Sequence, residues 1–449
     1  MGFPEKFIWG AATSSYQIEG AAFEEGKGLS VWDNFCRRPG TVFQNHTGEL
    51  ACDHCHRYQE DVQLMKDLGL QAYRFSIAWP RVLPAGVGKV NTAGLDFYDC
   101  LIDELLKEGI KPFVTLFHWD YPFELYKRGG WLNPESPHWF AEYTKIVVER
   151  LSDRVEHWIT LNEPQCFIGL GHYDGVHAPG LKLGLDELLL AGHHALLAHG
   201  LCVQVIRTNS KKRCQIGYAP VGKVVIPATE AKEDIEAARL GMFATSKKEF
   251  IWSNSWWMDP VFLGSYPDDG LKVLAGHLPL IKTHDLKTIN QPLDFFGINI
   301  YQGTTVRAGE VVEPILGYPR TAMNWPVTPE ALHWGPRFLY EKYKKPIIIT
   351  ENGLSNQDWL SLDGAVHDQQ RIDFMHRYLL ALEKAIENGA DIQGYFYWSL
   401  MDNFEWTHGY NERFGLIHVD FQSQKRTIKD SGYWYQKVIA SNGELLNKL

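Results

Sequence analysis

Short apolar or aromatic runs alternate eight times with longer amphipathic stretches along this 449-residue chain. No other feature constrains the fold as strongly. The runs at 7–13, 72–79, 112–119, 157–162, 215–221, 294–301, 346–350 and 393–400 read as buried strands. The stretches at 58–68, 95–107, 139–151, 187–207, 234–249, 329–343, 369–388 and 431–440 place apolar residues on one helical face and Glu-Lys or Asp-Arg pairs on the other. Gly and Pro punctuate the element ends, as in Gly109-Ile110-Lys111-Pro112. Eight strand–helix units without a linker or low-complexity segment predict the α/β class: a single (β/α)8 TIM barrel over residues 1–449, with decorated βα loops at its C-terminal face. An open doubly wound sheet would carry a Gly-rich phosphate loop after its first strand, and Gly10-Ala11-Ala12-Thr13 is not one.

Charge and cysteine usage narrow the partners. With 44 Lys+Arg against 54 Asp+Glu, the formal charge is −10, and no basic stripe is offered to a nucleic-acid backbone. The start, Met1-Gly2-Phe3-Pro4-Glu5-Lys6, lacks the apolar core of a signal peptide. No stretch reaches the roughly 18 consecutive apolar residues of a membrane helix. Seven cysteines, an odd count, read as a reduced set rather than a disulfide framework, so a cytoplasmic location is expected. Cys52-Asp53-His54-Cys55-His56 has the spacing of a haem attachment site, but neither an export signal nor a second CxxC accompanies it. No metal and no cofactor are expected.

A barrel of this kind carries its chemistry at the C-terminal ends of its strands. Those ends hold Gln17 and Glu19, then Arg74, then His118-Trp119-Asp120 and Asn162-Glu163-Pro164. Asn299-Ile300-Tyr301, Glu351-Asn352-Gly353 and Trp398 follow, with Glu405-Trp406 just beyond. Carboxylates, amides and indoles thus converge on one rim. Cleavage of a glycosidic bond needs such a set: one carboxyl protonates the leaving oxygen, and the other attacks the anomeric carbon or activates water. Flat aromatic faces stack on a sugar ring, which gives part of the 16 Trp a purpose. Either Glu alone reads equally well as a helix N-terminal charge. Two at strand ends, Glu163 and Glu351, each beside an Asn, point to function.

The sequence Thr160-Leu161-Asn162-Glu163-Pro164 resembles the acid/base motif of family 1 glycoside hydrolases, the β-glucosidase family. Ile349-Thr350-Glu351-Asn352-Gly353 resembles that family's nucleophile motif, and 7–20, 73–81 and 397–406 are similar to its other signatures. The resemblance runs from about residue 3 to about residue 440. Where the family has Asp-His-Tyr-His, this chain has Asp53-His54-Cys55-His56, which makes Cys55 a local substitution.

The resemblance implies a retaining enzyme. Its substrates would be terminal non-reducing β-D-glucosyl residues in cellobiose, short cello-oligosaccharides and aryl glucosides, with β-galactoside or β-fucoside side activity. Glu351 would be the nucleophile and Glu163 the acid/base, with carboxyls about 5–5.5 Å apart and pKa values pushed apart. Arg74 and Tyr301 would hold Glu351 as the anion. For the sugar, the resemblance implies Gln17, His118, Asn162, Asn299, Tyr301 and Glu405 as polar contacts. Trp119 and Trp406 would supply indole N–H donors, with Trp398 as stacking floor and Phe414 as far wall. Trp325 would line the leaving-group side. The Glu405 carboxylate would repel a 6-phosphate, so an unphosphorylated glycone is expected.

A predominantly transglycosylating enzyme keeps the same residues and stands as the second reading. A non-catalytic sugar-binding relative would lack one carboxylate, and a thioglucosidase would lack the acid/base Glu; both are present. Trp9, Trp32, Trp131, Trp139, Trp158 and Trp434 read as packing. His193, His194 and His199, on one helix, read as solvated or packed rather than metal-bound. Cys166, Phe167, Gly171 and His172 follow the acid/base motif and read as shaping the entrance.

Overall fold

Eight parallel strands build the centre of the molecule: β1 (Ile8–Ala12), β2 (Ala72–Ser76), β3 (Lys111–Phe117), β4 (His157–Asn162), β5 (Gln215–Ala219), β6 (Phe296–Asn299), β7 (Ile347–Asn352) and β8 (Ile392–Trp398). The computed structural model describes residues 2–448; Met1, the first residue of the N-terminal stretch read above, and Leu449 lie outside the described residues. The strands run in the spatial order β5-β4-β3-β2-β1-β8-β7-β6. Asn299 N donates to the Pro220 carbonyl (3.1 Å) and Gly222 N to the Asn299 carbonyl (2.8 Å), drawing β6 against the end of β5. The sheet is therefore a nearly closed barrel, and each of the eight predicted strands falls within it.

Strand alternation divides the apolar residues between two cores. Ala12, Ala72, Phe113, Ile159, Ala219, Ile348 and Phe396 fill the barrel interior with Phe295, while a larger set packs between the strands and the surrounding helices. Small residues on β1 and β2 make room for the rings opposite. A Cβ at Gly10 would lie 2.6 Å from the Phe396 ring and 2.7 Å from the Ala72 carbonyl oxygen, so no side chain fits there.

Two differences from the sequence reading have local causes. The strand expected over 72–79 ends at Ser76, because Trp79–Val82 starts a short helix with Pro80 in its first turn. The helix expected over 234–249 ends at Phe243. There Asn254 Nδ2 donates to the Met242 carbonyl (3.0 Å) and Asp269 accepts from Thr245 N (2.8 Å), which satisfies the backbone outside a helix.

The helix Leu185–Asn209 is long and apolar enough, by length and composition, to cross a membrane, yet 72% of its most apolar window is buried inside the protein. Its three histidines are packed and bonded. His193 meets Tyr266 Oη (3.0 Å), His194 the Trp131 carbonyl (2.8 Å) and His199 Thr160 Oγ1 (2.7 Å). The long loops after β1, β4, β6 and β8 carry most of the decoration, including the π-helix Gln165–Tyr173 directly after Glu163. They wall in the C-terminal mouth of the barrel.

Candidate active site

β4 and β7 deliver the two carboxylates to this mouth. Glu351 lies within β7, and Glu163 follows β4 with φ +45°, which turns the chain out of the strand. Trp119 (φ +78°) and Trp406 (φ +47°) share this left-handed conformation. Such positions cost roughly 1–3 kcal/mol each and persist only where surrounding bonds hold them. After Glu351-Asn352 the chain must pass against β8: a Cβ at Gly353 would lie 1.7 Å from the Trp398 carbonyl oxygen.

The polar network around the two carboxyls is asymmetric. Arg74, from β2, donates through Nη1 to Glu351 Oε1 (2.7 Å) and the Thr350 carbonyl (2.9 Å), and through Nη2 to Asn162 Oδ1 (2.6 Å). Its Nε meets Thr115 Oγ1 (3.2 Å). Tyr301 Oη donates to the other Glu351 oxygen (2.6 Å). Among the described residues Glu163 has no cation in contact; Asn299 Nδ2 donates to its Oε1 (2.8 Å) and the Cys166 thiol lies beside it.

Burial raises both carboxyls above the usual range, and the asymmetry decides which of them keeps the proton. At Glu351 burial is opposed by Arg74 and by the Tyr301 hydroxyl. At Glu163 burial and then the charge of Glu351 push the pKa up to about 8. Of the two, Glu163 is therefore favoured to hold the proton and Glu351 to hold the negative charge. Burial and the Arg74 charge hold His118 far below its ordinary value, so it is a neutral imidazole. Glu405 is pushed up to about 8, first by burial and then by Glu351, so near neutral pH it favours the neutral acid over the carboxylate expected to repel a 6-phosphate.

The carboxyls open onto a cavity of about 790 Å³ walled by His118, Trp119, Tyr301, Trp325, Trp398, Glu405, Trp406 and Phe414, among others. Its floor is deeply buried: Trp398 is 3% exposed, Phe414 2% and Trp406 4%. Asn162 Oδ1 is taken by Arg74 and by Asn299 Nδ2 (3.0 Å), which orients its Nδ2 towards His118 Nε2 (3.1 Å). Gln17 stands behind Glu405, its Nε2 donating to Asn403 Oδ1 (3.0 Å), the Phe404 carbonyl (2.8 Å) and Glu405 Oε2 (3.3 Å). Trp406 packs on Trp32 with ring centroids 4.6 Å apart, so one tryptophan read as packing braces one read as functional.

Three expected sugar contacts need correction. Gln17 is fully buried, its Nε2 serves Asn403, the Phe404 carbonyl and Glu405, and its Oε1 accepts from Ser14 Oγ (2.7 Å), so it braces Glu405 rather than facing the cavity. Asn299 is fully buried; both of its N–H groups go to Asn162 and Glu163, and its Oδ1 accepts from Thr350 Oγ1 (2.6 Å). It has no donor left for a sugar and instead positions the two residues before it in the network. The Trp119 indole N–H donates to the Asn162 carbonyl (3.0 Å), so this side chain offers its face and not its N–H. The sequence reading also left Thr115, Thr350, Cys166 and Asn403 without a part in the network. Asn403, two residues before Glu405, and Thr350, directly before Glu351, stand in motifs already singled out, which is a usable signal; Thr115 carries none.

The CxxCH stretch takes no part in the cavity. Cys52 Sγ donates to the Asp402 carbonyl (3.1 Å), His54 pairs with Asp61 (2.7 Å) and His56 with Asp53 (2.6 Å).

Residues 1–444 match the protein family described as Glycosyl hydrolase family 1. Beta-glucosidase A of Thermotoga maritima is 44% identical over 447 residues, spanning 98% of this chain and 98% of that protein. A bifunctional beta-D-glucosidase/beta-D-fucosidase of Bifidobacterium breve is 39% identical over 472 residues, spanning 98% and 99%. The solved structure of the T. maritima beta-glucosidase in complex with glucoimidazole superposes with a TM-score of 0.91 at 44% identity, covering 98% of this chain and 99% of that one.

Proposed function

The chain belongs to glycosyl hydrolase family 1, and from that premise we propose that it is a retaining β-glucosidase in which Glu351 is the nucleophile and Glu163 the acid/base. One observation carries the assignment of roles. Glu351 is clamped as an anion by Arg74 and Tyr301, while Glu163, among the described residues, has no cation in contact and is pushed up to about 8 on the same cavity.

In the first step Glu351 attacks the anomeric carbon as Glu163 gives its proton to the leaving oxygen. The ester formed on Glu351 is neutral, so the new anion on Glu163 appears just as its negative neighbour disappears. Glu163 then removes a proton from the incoming water, and Glu351 leaves as the carboxylate that Arg74 and Tyr301 stabilise. Asn162 Nδ2, held by the two bonds to its Oδ1, is the donor for the 2-hydroxyl, whose bond strengthens in the transition state. Trp398 lies beneath the ring, and Glu405, steadied by Gln17, takes the distal hydroxyls.

Substrates on this reading are unphosphorylated β-D-glucosides, including aryl glucosides, cellobiose and short cello-oligosaccharides, with β-fucoside activity like that named for the B. breve relative. A cytoplasmic location belongs to the same proposal; seven free cysteines fit a reducing compartment. The test is a panel of aryl β-glycosides with proton NMR of the first-formed sugar. Release of β-glucose before mutarotation is expected. Release of α-glucose, or cleavage confined to 6-phosphoglucosides, would overturn the reading.

A further inference from the structure

The chain leaves β8 at Trp398 and comes back beside itself at Phe414, and the excursion between them carries Glu405 and Trp406 to the cavity. Backbone bonds close its neck: Ser399 N donates to the Phe414 carbonyl (3.2 Å) and Asp402 N to the Ile417 carbonyl (2.9 Å). Asp402 adds side-chain bonds across the same neck. Its Oδ2 accepts from Arg413 Nη1 (2.6 Å), and its Oδ1 accepts from Gly415 N (3.0 Å) and Lys429 Nζ (2.7 Å). Lys429 also donates to Asp358 Oδ2 (2.5 Å), which accepts from Arg371 as well. Arg371 in turn donates to the carbonyls of Arg413 (3.1 Å) and Phe414 (3.2 Å).

The carboxylates of Asp358, Asp368 and Asp402 thus balance the cations Arg371, Arg413 and Lys429, and Asp402, Lys429 and Arg371 are fully buried. Such a set contributes little net stability, because desolvation offsets the attraction. It does fix geometry, since displacing one member strands a charge away from water. The tip of the excursion has fewer anchors. Trp406 rests on Trp32 and Trp119, with ring centroids 4.6 and 4.4 Å apart. The Glu405 carboxyl has the Gln17 bond at 3.3 Å, beyond the usual range for N–H···O. Its position therefore follows its backbone, and that backbone follows the neck.

We propose that Asp402 is a positioning residue for the distal end of the sugar site: by joining Arg413, Gly415 and Lys429 it sets where Glu405 meets the distal hydroxyls. The proposal rests on the β-glucosidase reading and deepens it.

The experiment measures kcat/KM on phenyl β-D-glucoside and its 2-deoxy, 4-deoxy and 6-deoxy analogues for the native protein, Asp402→Asn and Arg413→Gln. In the native protein, removing the 4- or the 6-hydroxyl leaves a buried partner unpaired and should cost roughly tenfold or more. In Asp402→Asn that penalty should shrink by about threefold or more, while the 2-deoxy penalty, set at Asn162 on β4, stays within about twofold of its native size. Arg413→Gln removes one of the two cations on Asp402 and leaves Lys429, so it should show a smaller shift of the same kind; it carries the test where Asp402→Asn does not fold. Distal penalties of native size in a folded variant, or an equal shrinkage of the 2-deoxy penalty, overturn the positioning role. So does a native protein indifferent to both distal hydroxyls. If the native protein does not cleave phenyl β-D-glucoside at all, the β-glucosidase reading itself fails, and this proposal with it.

Discussion

Replacing Asn299 by Ala tests the corrected role of this residue. Its Nδ2 donates to Glu163 Oε1 at 2.8 Å, and Asn162 keeps the stronger Arg74 bond at 2.6 Å when that amide is gone. The bond stabilises the Glu163 anion, so removing it must raise the pKa. A hydrogen bond to a charged group contributes about 1.5–3 kcal/mol, which at about 1.4 kcal/mol per pH unit corresponds to a rise of roughly one to two. Glu163 acts first as an acid, and activity is lost as it deprotonates. The alkaline limb of kcat/KM, expected near 8 in the parent protein, should therefore move up by roughly one to two pH units. The assay is the pH dependence of kcat/KM on phenyl β-D-glucoside, whose poor leaving group needs the proton. Thermal unfolding of the same samples checks for the stranded Thr350 hydroxyl, which costs about 1–3 kcal/mol. A folded variant whose alkaline limb stays near 8 while KM rises would refute the positioning role and restore Asn299 as a sugar contact.

Three other outcomes follow from the same geometry. Glu351→Gly should abolish turnover, with azide restoring activity and yielding an α-glucosyl product, whereas Glu163→Ala should spare aryl glucosides with good leaving groups and yield a β-glucosyl azide; products of the same anomeric form in both variants would dismantle the role assignment. The Cys166 thiol lowers the Glu163 pKa, so Cys166→Ser, a stronger donor, should move the alkaline limb down and Cys166→Val should move it up; parallel shifts would count against the contact. Arg371 is fully buried, pairs with Asp358 and Asp368, and donates to the Phe414 carbonyl (3.2 Å), so Arg371→Met should cost about 3–5 kcal/mol in urea unfolding; a loss under 1 kcal/mol would show that the charges it leaves are rehydrated.

The barrel was legible because its evidence is periodic and local. A buried strand and an amphipathic helix each declare themselves within a dozen residues, and eight repetitions leave one economical closure. The catalytic pair was legible for a related reason: Asn162-Glu163 and Glu351-Asn352 end apolar runs, and strand ends are where such a barrel exposes side chains. Asn299 and Trp119 were misread because their positions were right and their bonds were not. Whether an amide at the rim faces a ligand or the protein depends on Thr350, Asn162 and Glu163, each contributed by another strand or its end.

The order of residues thus determined the architecture, the rim and the identity of the two carboxyls. The resemblance implied which carboxyl holds the proton, but the physical cause of that asymmetry lies only in the fold. Arg74 and Tyr301 come from 277 and 50 positions away to meet Glu351, whereas Glu163 meets an amide and a thiol. Charge is assigned by what lies within a few ångströms after desolvation, and no spacing along the chain records that distance.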